Sequence, residues 1–461
     1  MNKRILRLAF PAILNNITVP LLGLSDTTIA GHLGSASFLA AMAVGAMMLN
    51  VIFWLCGFLR MGTTGLVSQA YGAGEYAAIR SILRRSLTIA LIISIFVLVL
   101  QRPLERLLFI VIAPEESVSA LASSYFRICL WGAPAQLIIM VVSGWFIGMQ
   151  NTVVPMAIAI GVNIINILLS VGLVFGLDCG FAGIASGTLA ANWIGALAAI
   201  IWLRIRMRTV VASRVSTSET RCDERNSKTS LDRIKKSTFA INANLFLRSA
   251  CIMVVTLAMT SYGSRLGENT LAANAVIMQF FLFFSYFMDG FAFAGEAIVG
   301  KAVGARDFSQ LSRCVRYLLG WGAVMSAAFF VIYLFGIPTF TGLLTDSDAV
   351  RQTVGSMYWW IVALPPITVA AFLFDGIFIG MTRTQALLVT TLIATAAFFL
   401  IISLPTLSSI FPIATDAISW SCESKVFRHP TLTNTLLWLA FETYLLLRGL
   451  LLAIAYYTRN H

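Results

Sequence analysis

Apolar runs of roughly 20 residues recur twelve times along this chain. They fall near residues 8–30, 38–61, 84–101, 119–149, 154–177, 182–203, 238–261, 270–298, 314–336, 353–381, 385–404 and 434–457. Each is long enough to cross a bilayer as a helix, the form in which a segment pairs its own backbone groups without water. Of the 461 residues, 59% are hydrophobic and only 11% are charged, which excludes a water-soluble domain. The expected fold is an all-α polytopic membrane protein with twelve transmembrane helices.

Charge sits in the short loops between spans. Lys3, Arg4, Arg7, Arg80, Arg84, Arg85, the segment 204–237, Lys301, Arg306, Arg313, Arg316 and Arg383 all lie on one side. The other side carries the acid-containing loops 102–118 and 340–350. The positive-inside rule places both termini in the cytoplasm. The net charge of +12 is thus a topology signal, and no nucleic-acid partner is expected. The seven cysteines show no CxxC pairing, and His32, His429 and His461 are too scattered for a metal site. The basic start followed by an apolar run resembles a signal peptide, but the run is too long and many spans follow.

Residues 204–237 form the only markedly polar stretch, with ten Lys/Arg against four Asp/Glu. This basic linker, read as a solvated tether, divides an N-terminal lobe (1–203) from a C-terminal lobe (238–461). The lobes are related in sequence. Leu39-Ala-Ala-Met-Ala-Val44 matches Leu271-Ala-Ala-Asn-Ala-Val276 at an offset of 232 residues. Gly72 with Gly304, Pro134 with Pro366, Gly144 with Gly376, and Phe146-Ile-Gly-Met149 with Phe378-Ile-Gly-Met381 keep that offset. The shift encloses six spans, so two six-helix lobes insert the same way up, related by an axis along the membrane normal. A cavity between rocking lobes is expected. The register fails near the end, where an extra segment at 406–433 with Cys422 precedes the last span.

Comparison of the copies shows where charge is not required by the shared scaffold. Asp26 pairs with Ala258, Arg60 with Ala292, Gly57 with Asp289, Thr64 with Glu296 and Ser143 with Asp375. A carboxylate inside a span costs at least a few kcal/mol, roughly. Asp26 is therefore a candidate proton or cation site, unless it simply reaches headgroup water at its helix end. Asn163, Asn166 and Ser170 share one face of the fifth span, with Asn166 and Ser170 at the depth of Asp26. Thr188 and Tyr125 lie towards the same side. These groups can hydrogen-bond either protonation state of an acid, or merely hold helices together. In the C-terminal lobe, Arg248, Asp289 and Asp375 form a possible polar cluster, as a structural ion pair or a second coupling site. Glu442 and Arg448 read as anchors or a pair across helices. Gly295 to Ala302 imitates a phosphate loop, but Ala302 replaces the Ser/Thr that would hold Mg²⁺, and no strand precedes it.

Together, Ser25-Asp-Thr-Thr-Ile-Ala-Gly-His-Leu-Gly34, Pro11, Gln69-Ala-Tyr-Gly-Ala-Gly74 and Asp375-Gly-Ile-Phe-Ile-Gly-Met-Thr-Arg383 resemble the MATE family, the multidrug and toxic compound extrusion transporters. That resemblance implies antiport of amphipathic, often cationic compounds against H⁺ or Na⁺, with no enzymatic activity and no cofactor beyond the coupling ion. It implies a proton-binding role for Asp26, with Tyr125, Asn166 and Thr188 as companions and Pro11 as the hinge of the first helix. Family members often carry a second acid where this chain has Ser170, which favours a lone Asp26 binding a proton. The expected setting is a bacterial inner membrane, and the expected state a monomer. Two alternatives are a Na⁺-coupled drug antiporter and a lipid-linked oligosaccharide flippase, which would present several cationic residues to its cavity.

Overall fold

The computed structural model describes residues 1–33, 35–112, 115–215, 224–410 and 430–458. Cys422 and most of the segment 406–433 lie outside the described residues, as do 216–223 of the linker. The first half comprises α1 (Asn2–Gly31), α2 (Ala36–Leu55), α3 (Phe58–Gly72), α4 (Tyr76–Val99), α5 (Gln101–Ile112), α6 (Glu116–Leu130), α7 (Ala133–Gly148), α8 (Val153–Val171) and α9 (Gly180–Val215). The second comprises α10 (Glu224–Ser264), α11 (Glu268–Gly304), α12 (Phe308–Leu344), α13 (Asp348–Ser356), α14 (Tyr358–Gly380), α15 (Thr384–Ile410) and α16 (Pro430–Tyr457).

Among the described residues, eleven helical stretches, with α2 and α3 counted together, are long and apolar enough to cross a membrane. A twelfth is the pair α6 and α7, bent by 51°. The twelve expected spans are thus accounted for. On α4 the division of faces is plain: Ser86, Ala90, Ser94 and Val97 are buried, whereas Ile92, Ile95 and Phe96 are each at least 60% exposed. Such an exposed apolar stripe is a lipid-facing surface in a chain of this composition.

The duplication reappears in the backbone. Gln150 and Thr382, 232 residues apart, both adopt left-handed conformations (φ 65° and 53°), as do Gly74 and Arg306 (φ 73° and 55°). Within the halves, Gly144 packs against the Arg60 backbone and Gly376 against that of Ala292, the equivalent contact. Between them, Gly72 faces the carbonyl of Lys301, and Gly304 that of Gln69, again an equivalent pair. Ser68 touches Gly300, its own equivalent, so the pseudo-two-fold axis passes between α3 and α11 at that point. Small residues let backbones approach where lipid supplies no hydrophobic drive for association.

Polar contacts across the halves run from mid-depth to the end carrying the basic loops. Gln69 donates to the Gly380 carbonyl (2.9 Å) and to Thr382 Oγ1 (3.1 Å), and Gln150 donates to the Ala297 carbonyl (2.5 Å). At mid-depth Asn16 donates to the Tyr286 carbonyl (3.2 Å). Gln69 and Gln150 therefore join the lobes at the basic end. The halves also differ in continuity. Breaks at Cys56–Gly57, Leu100 and Trp131–Gly132 interrupt the first half, where α11, α12 and α14 run unbroken through the equivalent positions. Only α13 and α14 add a break of their own, at Met357. The first lobe is the more articulated one.

A Cβ at Gly304 would run into backbone rather than a flexible side chain, whereas one at Gly320 on α12 would meet nothing within 4 Å. Gly304→Ala is expected to cost about 1–3 kcal/mol and to lower the unfolding temperature in detergent, while Gly320→Ala is expected to be neutral or slightly stabilising. Scanning fluorimetry of both variants checks this.

Candidate functional site

In the first lobe, α1 runs unbroken from Asn2 to Gly31 with Pro11 and Pro20 inside it. Its lower part lies on α11, where Gly290 meets Ala9 and Ile13. Farther along, the Asn163 side chain on α8 donates to the Thr18 carbonyl (2.9 Å). Helix α1 is thereby tied to both halves, and Pro11 is buried in the tied portion.

Beyond these ties, Asp26 is buried at 7% exposure, with Oδ1 sealed from solvent and without a hydrogen-bond partner. It lies within electrostatic range of Tyr125 and Cys129 on α6. Asn166 Nδ2 donates to Thr188 Oγ1 (2.9 Å), Thr188 Oγ1 donates to the Ile184 carbonyl (3.1 Å), and Ser170 Oγ donates to Asn166 Oδ1 (3.3 Å). Thr188, Asn166 and Ser170 thus form one hydrogen-bonded chain across α9 and α8, and Tyr125 is buried within electrostatic range of Asp26. Asn163 stands apart from this chain, on the α1 backbone.

The second lobe holds a denser set of charges. Asp375 on α14 accepts from Arg248 on α10 and, through Oδ2, from Arg448 on α16 (2.5 Å). Arg448 also donates to Tyr444 (3.3 Å). Half-buried Asp289 sits within electrostatic range of Arg248, Asp375, Arg60 and Glu296. Arg60 on α3 pairs with Glu296 on α11 at 3.1 Å and lies 3.9 Å over the Phe293 ring. Three arginines therefore face three acids near the seam, a balanced set whose members offset one another's desolvation. Of the expected cluster, Arg248 and Asp375 are a direct ion pair, with Asp289 beside them. Arg448 joins them, while Glu442 is buried with Oε1 unpartnered.

The Arg60–Glu296 pair was not grouped from the sequence, although a signal existed. Glu296 is the equivalent of Thr64, one turn from Arg60, and residues one turn apart meet across an axis running between their helices. A second pair, Arg127 with Glu105 (2.8 Å), pins α5 to α6.

The MatE family profile matches residues 11–171 and 245–404. DNA damage-inducible protein F of Escherichia coli is 35% identical over 98% of this chain and 91% of its own length. This chain belongs to the MATE family. Its members are transporters, not enzymes. A probable multidrug resistance protein NorM of Deinococcus radiodurans is 27% identical over 72% of this chain and 71% of its own. Among solved structures, an outward-facing multidrug resistance MATE transporter superposes with a TM-score of 0.79 at 20% identity, covering 99% of this chain and 95% of its own. The MATE fold accounts for the paired halves and the seam described above.

Removing one partner of a buried ion pair costs about 3–5 kcal/mol. Because Asp375 holds two arginines, Asp375→Ala is expected to lower the unfolding temperature more than Arg248→Met, which leaves Arg448 to satisfy the carboxylate. Equal shifts would mean that Arg448 is not a partner. Burial alone would raise the Glu105 carboxyl, but its bonds to Arg127 and Ser123 outweigh this and hold it below its usual value. Its contribution to stability is therefore complete above the unfolded value of about 4.3 and disappears as pH falls through the lower folded value. Unfolding temperatures measured from neutral to acid pH are expected to fall less steeply in Arg127→Ala than in wild type.

Proposed function

We propose that this chain exports amphipathic, often cationic drug-like compounds in exchange for H⁺, with Asp26 as the protonation site. The setting is a bacterial inner membrane, with the basic end and both termini in the cytoplasm, and the chain acts as a monomer. The observation that carries this reading is Asp26, a buried acid in the articulated lobe with an oxygen that has no partner, in electrostatic range of Tyr125, in a lobe that also holds the Thr188–Asn166–Ser170 chain. An ionised carboxylate with a sealed, unpaired oxygen is costly. Gaining or losing a proton there changes which packing of the lobe is favoured. A tenfold difference in proton affinity between two packings supplies about 1.4 kcal/mol of bias. The breaks at Cys56–Gly57 and Trp131–Gly132 give that lobe places to yield, and α1, tied to both halves, transmits the change to the seam.

Contact between the lobes at the basic end supports an outward-facing arrangement. Arg60 and Arg127, the cations that the spans of the first lobe chiefly offer, weigh against a flippase, since Arg60 is committed to Glu296 and Arg127 to Glu105. Ser170 in place of a second acid leaves few oxygens for Na⁺, which needs several.

Purified protein in proteoliposomes, loaded with a fluorescent cationic compound, distinguishes the couplings. A pH gradient is expected to drive transport and a Na⁺ gradient is not. Asp26→Asn, which keeps the size of the side chain, is expected to reduce transport to the level of protein-free vesicles while unfolding at the wild-type temperature. A variant that pumps at the wild-type rate would overturn the assignment of Asp26.

A further inference from the structure

The helix face that makes the seam continues beyond it. Ser68, Thr64, Met61, Gly57, Trp54 and Asn50 recur at alternating spacings of four and three, one face of α3 and α2. The equivalent face of α11 runs from Gly300 through Glu296, Phe293 and Asp289 to Tyr286 and Leu282. Burial falls along both. Ser68, Thr64, Glu296 and Gly300 are buried, Phe293, Asp289 and Tyr286 are half-buried, and Trp54, Asn50 and, one turn farther, Met47 and Gln279 are exposed. The walls part in step with this. A Cβ at Gly300 would collide with Ser68 of the other half, whereas one at Gly57 would meet nothing of the second half within 4 Å. Helix α3 lies along α11, and α2 scarcely touches it. Two faces that meet on the pseudo-two-fold axis at one end and are exposed at the other bound a cleft between the lobes. Asn50, Gln279 and Asp289 lie within membrane spans, where polar side chains face a water-filled cavity rather than lipid.

Asp289 stands at the floor of this cleft with no bonded partner. Of the three acids near the seam, Glu296 is bound to Arg60 (3.1 Å), and Asp375 holds both Arg248 and Arg448. Asp289 has neither a hydrogen bond nor an ion pair among the described residues. Arg60 and Arg248 are within electrostatic range of it, but each is already bonded to another carboxylate. The equivalent of Asp289 is Gly57, so the acid is on one wall and open space lies beside the other. One turn farther out, Tyr286 lies within electrostatic range of Asp289, and Trp54, its equivalent, stands 45% exposed on the first-half wall. A half-buried carboxylate flanked by aromatic residues is the recognition chemistry of an organic ammonium. The carboxylate attracts its charge, and the rings accept both the charge and its apolar substituents.

We propose that Asp289 receives the positive charge of the exported compound at the floor of this cleft, with Tyr286 and Trp54 against its apolar part. This rests on the export of cationic compounds proposed above and gives the charge of the compound a site apart from Asp26. The test is equilibrium binding to the full purified chain in neutral detergent. Two probes are compared, a fluorescent quaternary ammonium compound and its uncharged isostere with carbon in place of nitrogen. Wild type is expected to bind the cation roughly tenfold more tightly than the neutral probe. Asp289→Asn is expected to bind the two alike, and Asp289→Glu, which restores the charge, to recover most of the preference. Gly57→Lys leaves the acid in place and puts a cation on the facing wall; it is expected to lose the preference as well, whether or not Asp289→Asn folds. A merely structural Asp289 would weaken both probes together and leave their ratio unchanged, which overturns the proposal. Equal affinities in wild type, or a preference lost in Asp26→Asn but kept in Asp289→Asn, overturn it too. Because binding is read without any gradient, failure of a pH gradient to drive transport refutes the coupling reading and leaves this site standing.

Discussion

The seam between α3 and α11 is the contact on which the rest of the architecture depends. In lipid, two apolar lobes gain nothing from hydrophobic burial against each other, so they must be held by close backbone approach and polar contacts. Gly72, Gly300 and Gly304 supply the first, and Gln69 and Gln150 supply the second. Because the seam lies on the pseudo-two-fold axis, each contact made by one half is offered by the other. The close backbone approaches, Gly72 on Lys301 and Gly304 on Gln69, are accordingly made twice. Arg60 and Glu296 break that symmetry, placing a salt bridge where exact repetition would put a threonine near an alanine.

That departure from symmetry recurs throughout the molecule. The first half is interrupted at three places where the second is continuous, and it contains Asp26, a buried acid with an oxygen that has no partner. The second half gathers Arg248, Asp289, Asp375 and Arg448 into a charge-balanced group, with Arg60 and Glu296 close by. Duplication supplies two similar scaffolds, and the differences divide the work between them. A paired cluster resists change because parting its members leaves buried charge uncompensated. An unpaired carboxyl among hydroxyls and amides responds to a single proton.

The same comparison of halves singles out the turn before α15. Asn151 caps a helix at one copy of that turn, and Arg383 stands at the other. The backbone is alike at both, with left-handed residues at Gln150 and Thr382 immediately before. The difference is confined to side-chain chemistry, from acceptor to donor.

The sequence by itself determined the number of spans, the duplication and its axis, and the charges that each half holds alone. Those follow from constraints that act along the chain: the thickness of a bilayer, the pairing of backbone groups, and a fixed offset between copies. It also placed Asp26, Tyr125, Asn166, Ser170 and Thr188 at matching depth, since depth is read from position within a span. Rotation about each helix axis is not fixed by depth. Only the tertiary structure decided that Thr188, Asn166 and Ser170 join in one chain, that Asn163 turns to the α1 backbone, and that Asp375 is shared by Arg248 and Arg448. Partners across a seam depend on how helices are turned and packed, and in an apolar sequence with weak periodicity only packing itself sets that angle.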